Sequence, residues 1–124
     1  IRRGDYLSSE GMHPVCTKEY YRRAFASFPE TTSFLFFSDD IEWCKENFVG
    51  DNYYFAEENE DYIDLYLMSK CAHNIIANSS FSWWAAWLND NADRRVIAPE
   101  RWFGGLDKHE IKDLKPDDWE SVGC

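Results

Sequence analysis

The six glycines, at positions 4, 11, 50, 104, 105 and 123, form neither G-x-G-x-x-G nor G-x-x-x-x-G-K-[ST]. A dinucleotide fingerprint and a P-loop are therefore excluded. No D-x-D triplet occurs, and Asp39 and Asp40 are merely adjacent, so the acidic clamp that commonly holds a divalent metal on a diphosphate is missing. The four cysteines, at 16, 44, 71 and 124, contain no C-x-x-C pair, and Cys71 with His73 is the most closely spaced Cys/His pair. Zinc sites normally show closely paired ligands. What is left is a set of free, mostly buried thiols in a reducing compartment, with His13, His73 and His109 as ordinary side chains. No apolar run reaches the ~20 residues of a membrane span; the stretch from Leu65 to Leu88 is broken by Lys70, His73, Asn74 and Asn78. Basic residues are few as well. The formal net charge of −10 argues against a nucleic-acid binder that works by neutralising phosphates.

What is present is apolar and aromatic: 44% hydrophobic and 18% aromatic residues, too rich for disorder. A chain of 124 residues suits one domain around one core. Its charge is uneven. Residues 1–28 hold five Lys/Arg against three Asp/Glu, whereas residues 39–64 hold ten acids and only Lys45. The acidic middle reads as a solvated face, and an anionic ligand would be received best near the N-terminal arginines. The first residue is Ile1 rather than Met, inside a dense motif, as expected of a reading that starts within a longer gene.

Four short apolar runs read as strands: Phe34–Phe37, Tyr53–Phe55, Asn74–Ala77 and Val96–Ala98. Helical stripes lie between or before them: Tyr21, Ala24, Phe25 and Phe28; Ile41, Cys44 and Phe48; Ile63, Tyr66, Leu67 and Cys71; Phe81, Trp84, Ala85 and Leu88. The order alternates helix and strand, and the strands do not alternate polar with apolar. Both features predict an α/β fold, a parallel sheet covered by helices. Ligands bind such sheets at the carboxyl ends of the strands. The tail after Trp102 reads as a loop with one short element.

Three clusters carry candidate chemistry. Ile1-Arg2-Arg3-Gly4-Asp5-Tyr6 offers two guanidinium forks for phosphate oxygens, beside a glycine that allows close backbone approach. Phe37-Ser38-Asp39-Asp40 ends a strand and opens a helix; it reads either as a helix cap or as a carboxylate gripping paired donors such as the N1 and N2 edge of guanine. Ala77-Asn78-Ser79-Ser80-Phe81 does the same before an aromatic helix. Ser79 or Ser80 is either a cap or part of an anion site with the free N–H groups of the helix start. Trp83, Trp84 and Trp87 read as packing residues rather than a sugar platform.

Ile1-Arg2-Arg3-Gly4-Asp5-Tyr6 resembles the H-x-R-R-x-D motif of α-1,2-, α-1,6- and protein O-fucosyltransferases, lacking only the leading His. The run Leu67-Met68-Ser69-Lys70-Cys71-Ala72-His73-Asn74-Ile75-Ile76-Ala77-Asn78-Ser79-Ser80-Phe81-Ser82-Trp83-Trp84-Ala85-Ala86-Trp87-Leu88-Asn89 is similar to the long signature of the bacterial α-1,2-fucosyltransferases of glycosyltransferase family 11. Phe36 to Cys44, Val96 to Phe103 and Leu114 to Trp119 fit the same family.

The resemblance implies a GT-B enzyme in which residues 1–124 are the C-terminal, Rossmann-like, GDP-fucose-binding domain, with the N-terminal acceptor domain outside this chain. It implies a galactoside 2-α-L-fucosyltransferase: inversion from GDP-β-L-fucose onto the 2-hydroxyl of a galactose-containing glycan, without metal or other cofactor. It places Arg2 on the β-phosphate, adds donors from Ser79, Ser80 and the backbone N–H of Phe81, and sets Asp39 on guanine. Arg3 either contacts the donor or supports Asp5. Asp5 is the catalytic candidate beside Arg2, yet a carboxylate next to two arginines is a poor base, which leaves the general base unassigned. The partners implied are GDP-fucose and the acceptor glycan, with no nucleic acid. The location implied is the bacterial cytoplasm, with membrane association open. Rival readings are a fucosyltransferase of another linkage, such as α-1,6, and a glycan-binding module without catalysis.

Overall fold

The computed structural model describes Ile1, residues 16–100, Pro116 and residues 118–123. Helix α1 (Lys18–Ala26) opens on Thr17, whose hydroxyl accepts the Tyr20 N–H at 3.2 Å, a polar cap for an orphan donor. The Ser27 hydroxyl closes it by donating to the Ala24 carbonyl at 2.7 Å, and Pro29 lies just beyond. There follow β1 (Phe34–Phe36), α2 (Ile41–Asn47), β2 (Tyr53–Phe55), α3 (Asp61–Ser69), β3 (Asn74–Ile75), α4 (Ser80–Trp87), β4 (Val96–Pro99) and β5 (Glu120–Val122). Every strand pair is parallel: β1 with β2, β3 with β4, and β4 with β5. The architecture is α/β, with parallel sheets flanked by helices and a Rossmann-like alternation. Among the described residues no helix is long and apolar enough to cross a membrane.

One continuous sheet was the expectation; the hydrogen bonding makes two, β1-β2 and β3-β4-β5. Helix α1 binds them together. Its buried Tyr20, Tyr21 and Ala24 share a core with Phe36 and Phe48 on one side and Ala77 and Ile97 on the other. Tyr20 also repairs a backbone defect. Ile76 donates its N–H to the Ile97 carbonyl, so a parallel ladder would next direct the N–H of residue 99 to the Ile76 carbonyl. That residue is Pro99, which has no N–H. The Tyr20 hydroxyl donates to the Ile76 carbonyl in its place, at 2.6 Å.

Two helices are turned differently from their expected stripes. On α3, Tyr66 and Leu67 are exposed; the inward face carries Met68 and Ser69, with Leu65 half-buried beside Phe37 and Ala85. On α4 the inward face is Ser82, Ala85 and Ala86, and Trp84 and Leu88 are each 53% exposed. Small inward residues let two helix backbones approach closely, which a Trp there would prevent. Of the three tryptophans expected to pack, Trp83 lies half-buried against Trp119, Trp87 stacks on Trp83 at 5.3 Å, and Trp84 and Trp87 keep about half their surface in solvent.

The α4 phase is fixed by asparagines. Asn89 is buried and donates from Nδ2 to the Cys71 carbonyl and to Asn74 Oδ1, both at 2.8 Å, while its Oδ1 accepts the Asn91 N–H at 3.0 Å. Asn74 in turn donates to the Met68 carbonyl at 2.8 Å. The network ties the ends of α3 and α4 to the start of β3. Replacing Asn89 by Leu strands two acceptors and one donor, so the substitution should cost about 2–4 kcal/mol of stability. Urea unfolding monitored by circular dichroism measures this, and a loss under about 1 kcal/mol would deny the network its role.

Arg95 ties the opposite side. Its guanidinium forks onto Glu120 at 2.8 and 2.9 Å, donates to the Ser27 carbonyl at 2.9 Å and lies 4.4 Å from the centre of the Phe28 ring. The Arg95 N–H donates to His73 Nδ1 at 2.8 Å. Hydrogen bonds from Arg95 hold the Glu120 carboxyl below its ordinary value of 4.5. The folded state therefore binds this proton less readily than the unfolded chain. The contribution is complete above that ordinary value and lost as pH falls through the lowered one. The stability difference between the parent and Glu120→Gln should shrink between about pH 5 and pH 3. An unchanged difference across that range would contradict the pairing.

Cys16 and Cys44 are buried and Cys71 is half-buried, and no disulfide joins any of them among the described residues. Cys124, His13 and His109 lie outside the described residues.

Candidate functional site

The strands of both sheets run in one direction. Phe28 lies against Phe34 and His73 (ring centroids 6.1 and 5.3 Å apart) and so joins the starts of β1 and β3. At the other end, Phe37 packs with Ala85 and Phe81 of α4. The carboxyl ends of β1 and β3 thus share one edge, where open α/β sheets receive ligands. Ile1 is at this edge too: its terminal nitrogen donates to the Phe37 carbonyl at 2.7 Å.

At the β1 end the backbone runs through Phe37 and Ser38 into α2. The Ser38 hydroxyl accepts the Asp40 N–H at 2.9 Å, and Asp40 Oδ1 accepts the Trp43 N–H at 3.4 Å. The cap is therefore Asp40, a division that two adjacent aspartates do not reveal in sequence. Asp39, beside it, is an exposed residue of the same turn.

At the β3 end the chain turns sharply, with the Ser79 N–H donating to the Ala77 carbonyl at 2.9 Å. Ser79 is the buried cap of α4, and its hydroxyl accepts the Ser82 N–H at 3.0 Å. Ser82, given no part by the sequence reading, is buried with its hydroxyl 3.2 Å from that of Ser79. The serine spacing of cap and third helical position was the available signal. Asn78 is buried as well and accepts the Cys16 thiol at 3.7 Å. Ser80 is exposed and Phe81 half-buried. They occupy the first two helical positions, where backbone N–H groups have no acceptor within the helix. An exposed hydroxyl and two outward N–H groups at the positive end of a helix suit an anion.

Asp39, Ser79, Ser80 and Phe81 are thus brought to a common edge. Arg2, Arg3 and Asp5 lie outside the described residues. Among the described residues, no group of three or more His, Cys, Asp or Glu side chains is placed to hold a metal ion.

Fold and edge together define an α/β protein with anion-type donors at the carboxyl ends of parallel strands. The model of glycosyl transferase family 11 matches residues 1–121, and the chain belongs to that family. It is 40% identical over 121 residues to the O-antigen biosynthesis glycosyltransferase WbnK of Escherichia coli, covering 90% of this chain and 40% of that protein. It is 41% identical over 127 residues to an Escherichia coli alpha-1,2-colitosyltransferase, covering 94% and 43%. More distantly, it is 33% identical over 103 residues to the Homo sapiens galactoside alpha-(1,2)-fucosyltransferase 1, covering 71% and 27%. The chain spans about two fifths of the length of the two bacterial relatives. No solved structure matches it.

Proposed function

We propose that this chain is the donor-binding, C-terminal domain of a GT-B galactoside 2-α-L-fucosyltransferase, which moves L-fucose from GDP-β-L-fucose with inversion and without metal. The observation that carries the reading is the family match along nearly the whole chain, supported by a helix start of the anion-binding kind at the carboxyl edge.

In this reading Arg2 meets the β-phosphate. The Ser80 hydroxyl and the N–H groups of Ser80 and Phe81 add donors, with Ser79 holding that helix start in place. Asp39 accepts from guanine. Arg3 contacts the donor or braces Asp5. As the glycosidic bond breaks, the sugar becomes positive and charge grows on the leaving phosphate. Donors fixed there in advance stabilise the transition state more than the ground state. The acceptor glycan is held by residues outside this chain, and the reaction belongs to the bacterial cytoplasm.

A second reading is favoured by one observation, the 41% identity to a protein named for colitose transfer; the sugar moved would then be colitose. The full-length protein, offered GDP-fucose or GDP-colitose with a β-galactoside acceptor, separates the two. We expect α-1,2-fucoside product with GDP-fucose, undiminished by excess EDTA. Activity abolished by EDTA and restored by Mn²⁺ or Mg²⁺ would overturn the metal-free reading, and turnover of GDP-colitose alone would overturn the donor.

A further inference from the structure

Helix α4 can offer its first N–H groups to an anion only if its cap leaves them alone. A capping hydroxyl accepts from the N–H of either the second or the third helical residue. In α4 those residues are Phe81 and Ser82, and the Ser79 hydroxyl takes the Ser82 N–H at 3.0 Å. The N–H groups of Ser80 and Phe81 have no hydrogen-bond partner among the described residues. A Ser79 hydroxyl turned to Phe81 instead would take up one of the two donors open to an anion.

The Ser82 side chain decides between these two arrangements. Its hydroxyl lies 3.2 Å from that of Ser79, so Ser82 holds the cap oxygen by two of its own atoms, the backbone N–H and Oγ. Both serines are buried, Ser79 at 3% and Ser82 at 7% exposure. Turning Ser79 towards Phe81 would break two contacts to make one. It would also leave the Ser82 hydroxyl buried without a partner, which is unfavourable. The third helical position more commonly carries Glu or Gln, whose side chain reaches back to the N–H of the cap residue. Here that N–H is already bonded to the Ala77 carbonyl at 2.9 Å, and a glutamate would set a negative charge where an anion is to be received. Serine is short and neutral. The first turn of α4 carries no acid at all, whereas those of α1, α2 and α3 carry Glu19, Glu42, and Asp61 with Asp64.

We propose that Ser82 is a positioning residue of the donor site: it pins the Ser79 hydroxyl to the third N–H of α4 and so keeps the Phe81 N–H open for a phosphate oxygen. The inference rests on the donor-binding reading above. Ser82 is buried and acts on the ligand only through Ser79.

The test is Ser82→Ala in the full-length protein, which keeps the backbone N–H and removes only the hydroxyl. Alanine is the best helix former, so the variant should fold. Amide exchange without ligand, resolved by residue, should show the Phe81 amide slowed at least about threefold and the amide of residue 82 quickened. In calorimetric titration GDP should bind about three- to tenfold more weakly, because the freed Ser79 hydroxyl competes with phosphate for one hydrogen bond. Ser79→Gly keeps an acceptable cap and removes the competing hydroxyl. Adding Ser82→Ala to it should therefore weaken GDP no further, a double-mutant result that a general loosening of α4 would not give. An unchanged Phe81 exchange rate in Ser82→Ala overturns the proposal, as does an undiminished loss of affinity in the Ser79→Gly background. Pyrophosphate, titrated alongside, separates this proposal from the reading beneath it. The same dependence on Ser82 with pyrophosphate, in a protein that binds GDP no better, overturns guanine recognition and supports the role of Ser82. A parent protein that binds neither overturns both.

Discussion

In a full-length version of this protein, Arg2→Lys should lower fucose transfer about a hundredfold or more, close to the loss from Arg2→Ala. In the proposed metal-free reaction the leaving diphosphate gains charge in the transition state, and that charge falls to protein donors. Removing one such fixed donor typically costs about 3 kcal/mol, or about two orders of magnitude in rate. Lysine keeps the charge but not the planar fork that grips two oxygens at once. The kinetic pattern separates a transition-state role from simple binding. A loss concentrated in kcat marks an interaction that strengthens as the bond breaks, and a loss confined to KM marks uniform binding. A lysine variant that turns over nearly normally would remove Arg2 from the phosphate.

The strands were legible because they are short, aromatic or β-branched runs between turn residues. Tyr53–Phe55 has its expected bounds, and Phe34–Phe36 and Val96–Pro99 differ by one residue. Asn74–Ile75 is shorter than expected because Pro99 cannot continue its ladder. Strand β5 was not specified within the tail: Glu-Ser-Val has little strand pattern of its own and forms on the free edge of β4, anchored by the buried Trp119 beside it. Helix phase was the weakest inference. Periodicity favours large apolar residues as the inward face, whereas α4 turns Ala85, Ala86 and a hydrogen-bonded Asn89 inward and leaves Trp84 outside. At the site, a cap at Ser79 was visible in the sequence as one of two readings. The choice between Asp39 and Asp40 rests on backbone angles that the letters do not encode. The split sheet was illegible for a different reason: apolar runs announce strands but not which strands pair, and among the described residues no ladder joins β1 to β3.

The 124-residue chain, folded by itself, should bind GDP and transfer no fucose to lactose. Donor affinity in the proposed arrangement comes from one edge: phosphate donors at α4 and in the Arg2 segment, and Asp39 for the base. Catalysis needs an acceptor hydroxyl held in attack geometry against that edge, a contribution separate from donor binding and often larger. Calorimetric titration should show GDP favoured over ADP and UDP by about tenfold or more, the discrimination expected when a carboxylate grips two donors of a base edge. Asp39→Ala should remove the preference and leave most of the phosphate affinity. Binding should weaken as salt rises, because Ser80 and Asp39 are exposed and their electrostatic contacts are screened. Circular dichroism on the same samples ensures that lost binding is not lost folding. A folded chain that binds the three diphosphates equally would take Asp39 off the base. A folded chain that makes fucosyl-lactose unaided would place the acceptor site and the general base within these residues, and the proposed division between two domains would be wrong.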